Sequence, residues 1–208
     1  MIQTSQLVYA YNDKVKFTFP DLNLADQEDL LILGPSGVGK TTFLHLLAGL
    51  LPADAGVIKI QDTDLAQLSR KRLDAFRGKH IGIVFQKARF VHALTVEENL
   101  QLKQYFSQRK TDKSKHLALL ARLGIEDQMR KKTHELSEGQ KQRLSIALAL
   151  VNEPSVIFAD EPTASLDDVN CDSVLELLQE EARLNKSNLL IITHDHRAKS
   201  RFKNHIIL

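Results

Sequence analysis

The sequence predicts an α/β fold on a parallel sheet, and three observations predict it. Short apolar runs at 29–33 (DLLIL), 156–159 (VIFA) and 189–193 (LLIIT) end in polar or turn residues, the pattern of strands buried on both faces. From Ser155 onward such runs alternate with segments whose apolar residues recur at helical spacing. The first run also leads through a glycine-rich loop directly into an apolar helix.

That loop, residues 34–42 (GPSGVGKTT), matches G-x-x-x-x-G-K-[ST] at Gly34, Gly39, Lys40 and Thr41. The helix after it can end at Gly49, with Pro52 beyond. Glycines let successive N–H groups turn toward phosphate oxygens, and the helix N-terminus adds positive potential. Gly34, Pro35, Ser36, Gly37, Val38, Gly39, Lys40, Thr41 and Thr42 are therefore the candidate phosphate cradle. Lys40 is placed to reach the β- and γ-phosphates, and Thr41 to ligate Mg²⁺. Beyond it, 56–60 (GVIKI) reads as a strand and 69–77 as a helix.

The run 155–161 (SVIFADE) ends a buried strand in adjacent carboxylates, 160 − 40 = 120 positions beyond Lys40. Asp160 can join the oxygen shell of a hard cation. Glu161 can orient or deprotonate an attacking water. Such a pair by itself could equally be a helix cap or a solvated turn; following a phosphate loop, the chemical reading is favoured.

Between the two lies 136–140 (LSEGQ). Ser137 and Gln140 fit a capping box that opens a helix, and Leu144, Ala147, Leu148 and Val151 continue it at helical spacing. By itself this reads equally as a plain capped helix or, with a Ser hydroxyl and the Gly139 N–H at its N-terminus, as a second anion-binding element beyond the chain's own phosphate loop.

Taken in order, these motifs resemble the nucleotide-binding subunit of ATP-binding cassette (ABC) transporters over nearly the whole chain. The resemblance implies a P-loop NTPase core, an N-terminal antiparallel β subdomain and a helical subdomain carrying LSEGQ. It implies ATP and Mg²⁺ as ligands, with Tyr11 (or Tyr9) stacking on adenine. Gln86, after the strand-like 81–85 (IGIVF), would sense the metal and the water. His194 in ITHD would be the switch histidine beside Glu161, and 164–167 (ASLD) the D-loop. Ser137, Gly139 and Gln140 would close over ATP held by a second copy, so that a two-fold dimer sandwiches two nucleotides. Thr41, Gln86 and Asp160 would hold the metal, and Glu161, His194 and Gln86 would carry the catalysis. A membrane permease is the implied partner, at the cytoplasmic face of the cell membrane.

The chain departs from the family pattern in two places. Glu138 stands where Gly is commonest, and is expected to be tolerated by pointing away from phosphate. His92 replaces a frequent Pro in 87–99 (KARFVHALTVEEN), the stretch resembling the permease-docking groove, so that loop is expected to be less rigid. Phe90 and Val91 there serve either packing or contact.

Composition adds bounds. With 208 residues, 43% of them hydrophobic, the chain can form one compact domain, read as a core lobe over about 1–86 and 152–208 and a helical subdomain over about 87–151. Within that subdomain Thr95 and Glu98 form a capping box, and a helix from about Asp112 ends at Gly124. Lys and Arg number 28 against 26 Asp and Glu, a net charge of +2, so no global field draws the chain to nucleic acid. The basic clusters 109–115 and 130–132 read as solvated. Lone Cys171 fits a reducing compartment and a buried helix face with Val174, Leu175, Leu178 and Ala182. No run approaches the ~18 apolar residues of a membrane helix.

The 164–167 motif after ADEPT, and the short length, resemble the lipoprotein-release, macrolide-export and cell-division branch. The alternative is a non-transport ABC ATPase acting on nucleic acid or the ribosome. Chromosome-structuring members insert coiled coils before the signature, where this chain has only 137 − 40 = 97 positions, and translation-linked members carry two cassettes. A small P-loop kinase would lack LSEGQ.

Overall fold

The computed structural model describes residues 1–12, 15–164 and 168–208, without the side chains of 168–170 and 196. The expected D-loop residues 165–167 lie outside the described residues.

Two sheets build the core lobe. The antiparallel one pairs β1 (Ile2–Asn12) with β2 (Val15–Thr18), β3 (Leu22–Leu24) and β5 (Ala55–Ile60), with β6 (Thr63–Asp64) beyond β5. The parallel one runs in the order β10 (His205–Ile207), β4 (Asp29–Leu33), β9 (Asn188–Thr193), β8 (Val156–Asp160), β7 (Ile81–Val84).

The period-two alternation of strands decides what each face of the parallel sheet meets. Leu30, Ile32, Val156, Phe158, Leu190 and Ile192 pack on helix α1 (Lys40–Leu47) and the antiparallel lobe. Leu31, Leu33, Ile157, Ala159, Leu189 and Ile191 pack on the other side against later helices. Both faces are therefore dry, which is why the strands read as unbroken apolar runs. Phe43 of α1 is wholly buried and stacks on Phe19 at 4.6 Å between centroids. Truncating such a side chain to Ala is expected to cost about 3–5 kcal/mol.

Helix α2 (Arg70–His80) leads into β7 and runs three residues past the expected end at Arg77, stopping only where the chain enters the sheet. The segment after Gln86 then forms α3 (Val96–Phe106), α4 (Lys113–Arg122) and α5 (Glu138–Leu150). Thr95 and Glu98 cap α3 reciprocally, Asp112 caps α4, and Gly124 follows α4 with φ 64°. Helix α6 (Asp168–Asn185) returns the chain to β9 and buries Cys171, Val174, Leu175, Leu178 and Ala182 as its spacing predicts. Arg122 of α4 donates Nε and Nη2 to the buried Glu181 of α6 at 2.6 and 3.1 Å, tying the helical layer to the core. No described helix is long and apolar enough to cross a membrane.

Candidate nucleotide site

The register of the parallel sheet gathers the site. Leu33 pairs with Thr193, Ile192 with Asp160, and Ala159 with Val84, so four strands end at one edge. The loops leaving that edge carry 34–39, Gln86, Glu161 and His194. Open parallel sheets bind ligands at this carboxyl edge.

The phosphate loop is shaped by its glycines. Gly39 has φ 104°, and a Cβ there would stand 2.8 Å from Phe17 Cδ1. Gly34 is closed in by the Leu208 carbonyl, 2.9 Å from where its Cβ would be, and by Val38 Cγ1 at 3.1 Å. Lys40 is buried and donates Nζ to the carbonyls of Gly34 (2.8 Å) and Pro35 (3.1 Å), with Glu161 Oε1 at 3.7 Å. Thr41 Oγ1 donates to Asp160 Oδ1 at 3.3 Å. Burial raises the Asp160 carboxyl above its ordinary value, opposed first by the Thr41 hydrogen bond.

Glu161 holds φ 48°, a left-handed conformation that non-glycine residues rarely adopt, and donates its N–H to Ile192 O at 2.9 Å. Strain of this kind costs on the order of 1–3 kcal/mol and persists where its surroundings over-determine it. Here the surroundings hold the carboxylate from three sides. Thr193 Oγ1 donates to Oε2 at 2.8 Å, the His194 N–H donates to Oε1 at 3.1 Å, and His194 Nδ1 lies 2.9 Å from Oε1.

These groups line an open cavity of about 350 Å³ in which Tyr11, Phe17, Ser36, Gly37, Gly39, Lys40, Thr41 and Thr42 meet Gln86, Glu161 and His194. Tyr11 OH is 2.9 Å from Thr42 Oγ1. Tyr9 contacts Tyr11 edge-on (centroids 4.9 Å apart) and packs on the core instead of lining the cavity. A larger hollow of about 560 Å³ lies on the antiparallel sheet around Gln3, Asn23 and Lys59, where no such chemistry converges.

The signature residues stand outside the cavity. Ser137 accepts from the Gln140 N–H (3.3 Å), and the Ser137 N–H donates to Gln140 Oε1 (3.0 Å), completing the expected capping box. A Cβ on Gly139 would meet nothing within 4 Å. Glu138, its side chain 90% exposed, pairs with Lys141 at 2.7 Å. Gln142 Nε2 donates to Pro162 O at 2.9 Å, linking the signature helix to the turn after Glu161. Phe90 packs partly on the core and Val91 is exposed, while His92 Nδ1 lies 3.2 Å from Thr133 Oγ1.

Three contributors escaped sequence reasoning. Phe17 was hidden in a short strand, VKFT, whose alternation alone could have turned it inward. Thr193 carried a weak signal as the polar end of an apolar strand. Gln142 carried none.

The oxygens of Thr41 and Asp160 suit a hard cation. Among the described residues no group of three or more His, Cys, Asp or Glu could hold a metal by itself, so Mg²⁺ there would share phosphate and water oxygens. A glycine-shaped loop at a helix N-terminus, a buried lysine and paired carboxylates at a sheet edge define a P-loop nucleoside triphosphatase.

Comparison with known proteins narrows that class. The ABC transporter family model matches residues 19–164. A lipoprotein-releasing system ATP-binding protein, LolD, of Bacteroides fragilis is 37% identical over 177 residues, 84% of this chain and 82% of that protein. The bacitracin export ATP-binding protein BceA of Halalkalibacterium halodurans is 38% identical over 182 residues, covering 86% and 72%. Among solved structures, the dimeric bacterial ABC transporter cassette MJ0796 superposes with TM-score 0.89 at 29% identity, covering 100% of this chain and 94% of that one. The same cassette in a post-hydrolysis state bound to ADP and Pi gives 0.88. The chain belongs to the ABC transporter family. It is an ATP-binding cassette, and its reaction is ATP hydrolysis.

Proposed function

We propose that this chain is the ATP-hydrolysing subunit of a membrane transporter and works as a two-fold pair with a second cassette. The observation that carries the reading is the separation of the two phosphate-binding elements. The loop 34–42 shares a cavity with Gln86, Glu161 and His194, whereas Ser137 caps a helix outside it, and Ser137 and Gly139 are both exposed. A nucleotide held by one copy then takes its last contacts from the signature of the other.

In this reading the loop N–H groups and Lys40 bind the triphosphate, and Lys40 leaves the Gly34 and Pro35 carbonyls to do so. Tyr11, beside Phe17, offers its ring to the base. Thr41 and Asp160, with Gln86, would hold Mg²⁺, which would supply neutralisation of the triphosphate's charge. Glu161, fixed by Thr193 and His194, orients water for in-line attack on the γ-phosphate. Segment 87–151 acts as a unit that carries closure to a permease, which places the chain peripherally at the cytoplasmic membrane face. Similarity to LolD and BceA supports a partner of the lipoprotein-release or export type.

Complementation tests the shared site. Lys40→Ala and Ser137→Ala chains are each expected to be inactive, and their mixture to regain turnover, because the mixed dimer contains one intact site. No recovery on mixing, with ATP hydrolysis strictly first-order in protein, would remove the shared-site reading. Co-purification with a multi-spanning membrane protein tests the transporter role.

A further inference from the structure

The basic run 109–115 does not stand alone. Helix α2 carries Arg70, Lys71, Arg72, Arg77 and Lys79 against one acid, Asp74, which is ion-paired to Arg77. Leu73 and Phe76 turn one side of α2 into the core, while Lys71, Arg72, Ala75 and Lys79 are exposed. The ends of α2 and α3 are locked together: a Cβ on Gly78 would lie 3.0 Å from Ser107 Cβ. Asn152 Nδ2 donates to both Gly78 O and Ser107 Oγ, each at 2.8 Å.

Two aromatic rings protrude at this junction. Tyr105 and Phe106 are 74% and 75% exposed and touch edge to face, centroids 5.7 Å apart. Cations flank them along the chain: Arg109 and Lys110 follow the rings, Lys79 follows Gly78, and Lys71 and Arg72 lie about two turns back along α2. Lys71, Arg72, Lys79 and Lys110 are exposed and Arg109 is half-buried, and none has a carboxylate ion-pair partner among the described residues. His80, the last residue of α2, is held below its ordinary value by burial and then by the charges of Lys79 and Arg109.

Exposed rings at a junction flanked by exposed cations match the interfacial zone of an acidic bilayer, where aromatic side chains settle at headgroup level and Lys and Arg meet lipid phosphates. We propose that the junction of α2, α3 and the turn before α4 docks on an acidic phospholipid surface. A nucleic-acid strand is the less fitting partner, because rings inclined at 70° and packed on each other leave no parallel faces for successive bases. The patch adjoins the start of β7, whereas Gln86 lies beyond its end, roughly 13 Å of strand away. Lipid contact would therefore leave the nucleotide cavity free, and it requires no permease.

Sedimentation of the full chain with vesicles tests this. Binding is expected to vesicles of phosphatidylcholine mixed with phosphatidylglycerol, to fall with added salt, and to be absent with phosphatidylcholine alone. Replacing Lys71, Arg72 and Lys79 together by Gln is expected to weaken it roughly a hundredfold, with ATP binding unchanged as the check on folding. The chain has no tryptophan, so Phe106→Trp gives a single reporter whose emission should shift to the blue on acidic vesicles only. Equal binding to neutral vesicles, an unaffected triple variant, an unmoved indole emission from the Phe106→Trp chain or tighter binding to single-stranded RNA at the same salt would each overturn the proposal.

Discussion

Glu161 and His194 meet at 2.9 Å across 33 positions of sequence, and the same histidine also gives its backbone N–H to the same carboxylate. The pairing follows from adjacent parallel strands, β8 and β9, ending level with one another. Side-chain and main-chain contacts together aim the carboxylate into the cavity, which makes its geometry more constrained than a surface pair would be.

Glu161→Gln is expected to lower ATP turnover by about 10²–10⁴-fold while leaving ATP binding intact. Single-turnover hydrolysis and sedimentation velocity with ATP check both halves, since the variant should accumulate as an ATP-bound dimer. Hydrolysis at the parental rate would remove Glu161 from the mechanism.

Thr193 orients Glu161 without lining the cavity, so Thr193→Val is expected to reduce kcat with little change in KM for ATP. Thr193→Ser keeps the hydroxyl and should recover most of the rate. A loss shared equally by the Ser and Val variants would assign Thr193 to packing alone.

At Gly39 two constraints coincide, a φ of 104° and the Phe17 ring. Gly39→Ala should destabilise the fold by roughly 1–3 kcal/mol and weaken nucleotide binding. Adding Phe17→Ala relieves the contact but not the dihedral. Because Phe17→Ala also loses packing against Phe19, calorimetry should show Gly39→Ala costing less in the Phe17→Ala background than in the parent chain.

Stability should decline as pH falls below about 6.5. Burial lowers the imidazoles of His45, His80 and His116 from the ordinary 6.5. Below that value the unfolded chain binds protons that the folded chain resists, so folding free energy is fully present above it and lost as pH drops toward the folded-state values. His116 is wholly buried, and its Nε2 lies 2.8 Å from Gln104 Oε1. Urea titrations across this range should show a shallower decline in His116→Gln; an unchanged slope would clear His116.

In the signature, Ser137→Ala removes a helix cap worth about 1 kcal/mol and should abolish turnover by more than that loss explains. Glu138→Gly should change turnover only a few-fold, because the Glu138 carboxylate is exposed and paired with Lys141. A many-fold change in steady-state ATPase would place Glu138 against phosphate in the closed dimer.

By itself the sequence determined the chemistry-bearing segments: the loop 34–42, the carboxylates 160–161, the caps at Thr95 and Ser137 and the buried strands. These are local, being set by residue spacing, glycine and capping side chains over a few positions. Only the tertiary structure decided that Phe17 covers Gly39, that Thr193 and Gln142 brace the turn at Glu161, and that α2 runs on to His80. It also brought the cations of α2 beside the rings ending α3. Such contacts depend on strand register and helix packing between distant segments, and no short-range pattern encodes them. LSEGQ spans both cases: its cap is written in four residues, whereas its openness shows only once the rest of the chain has folded elsewhere.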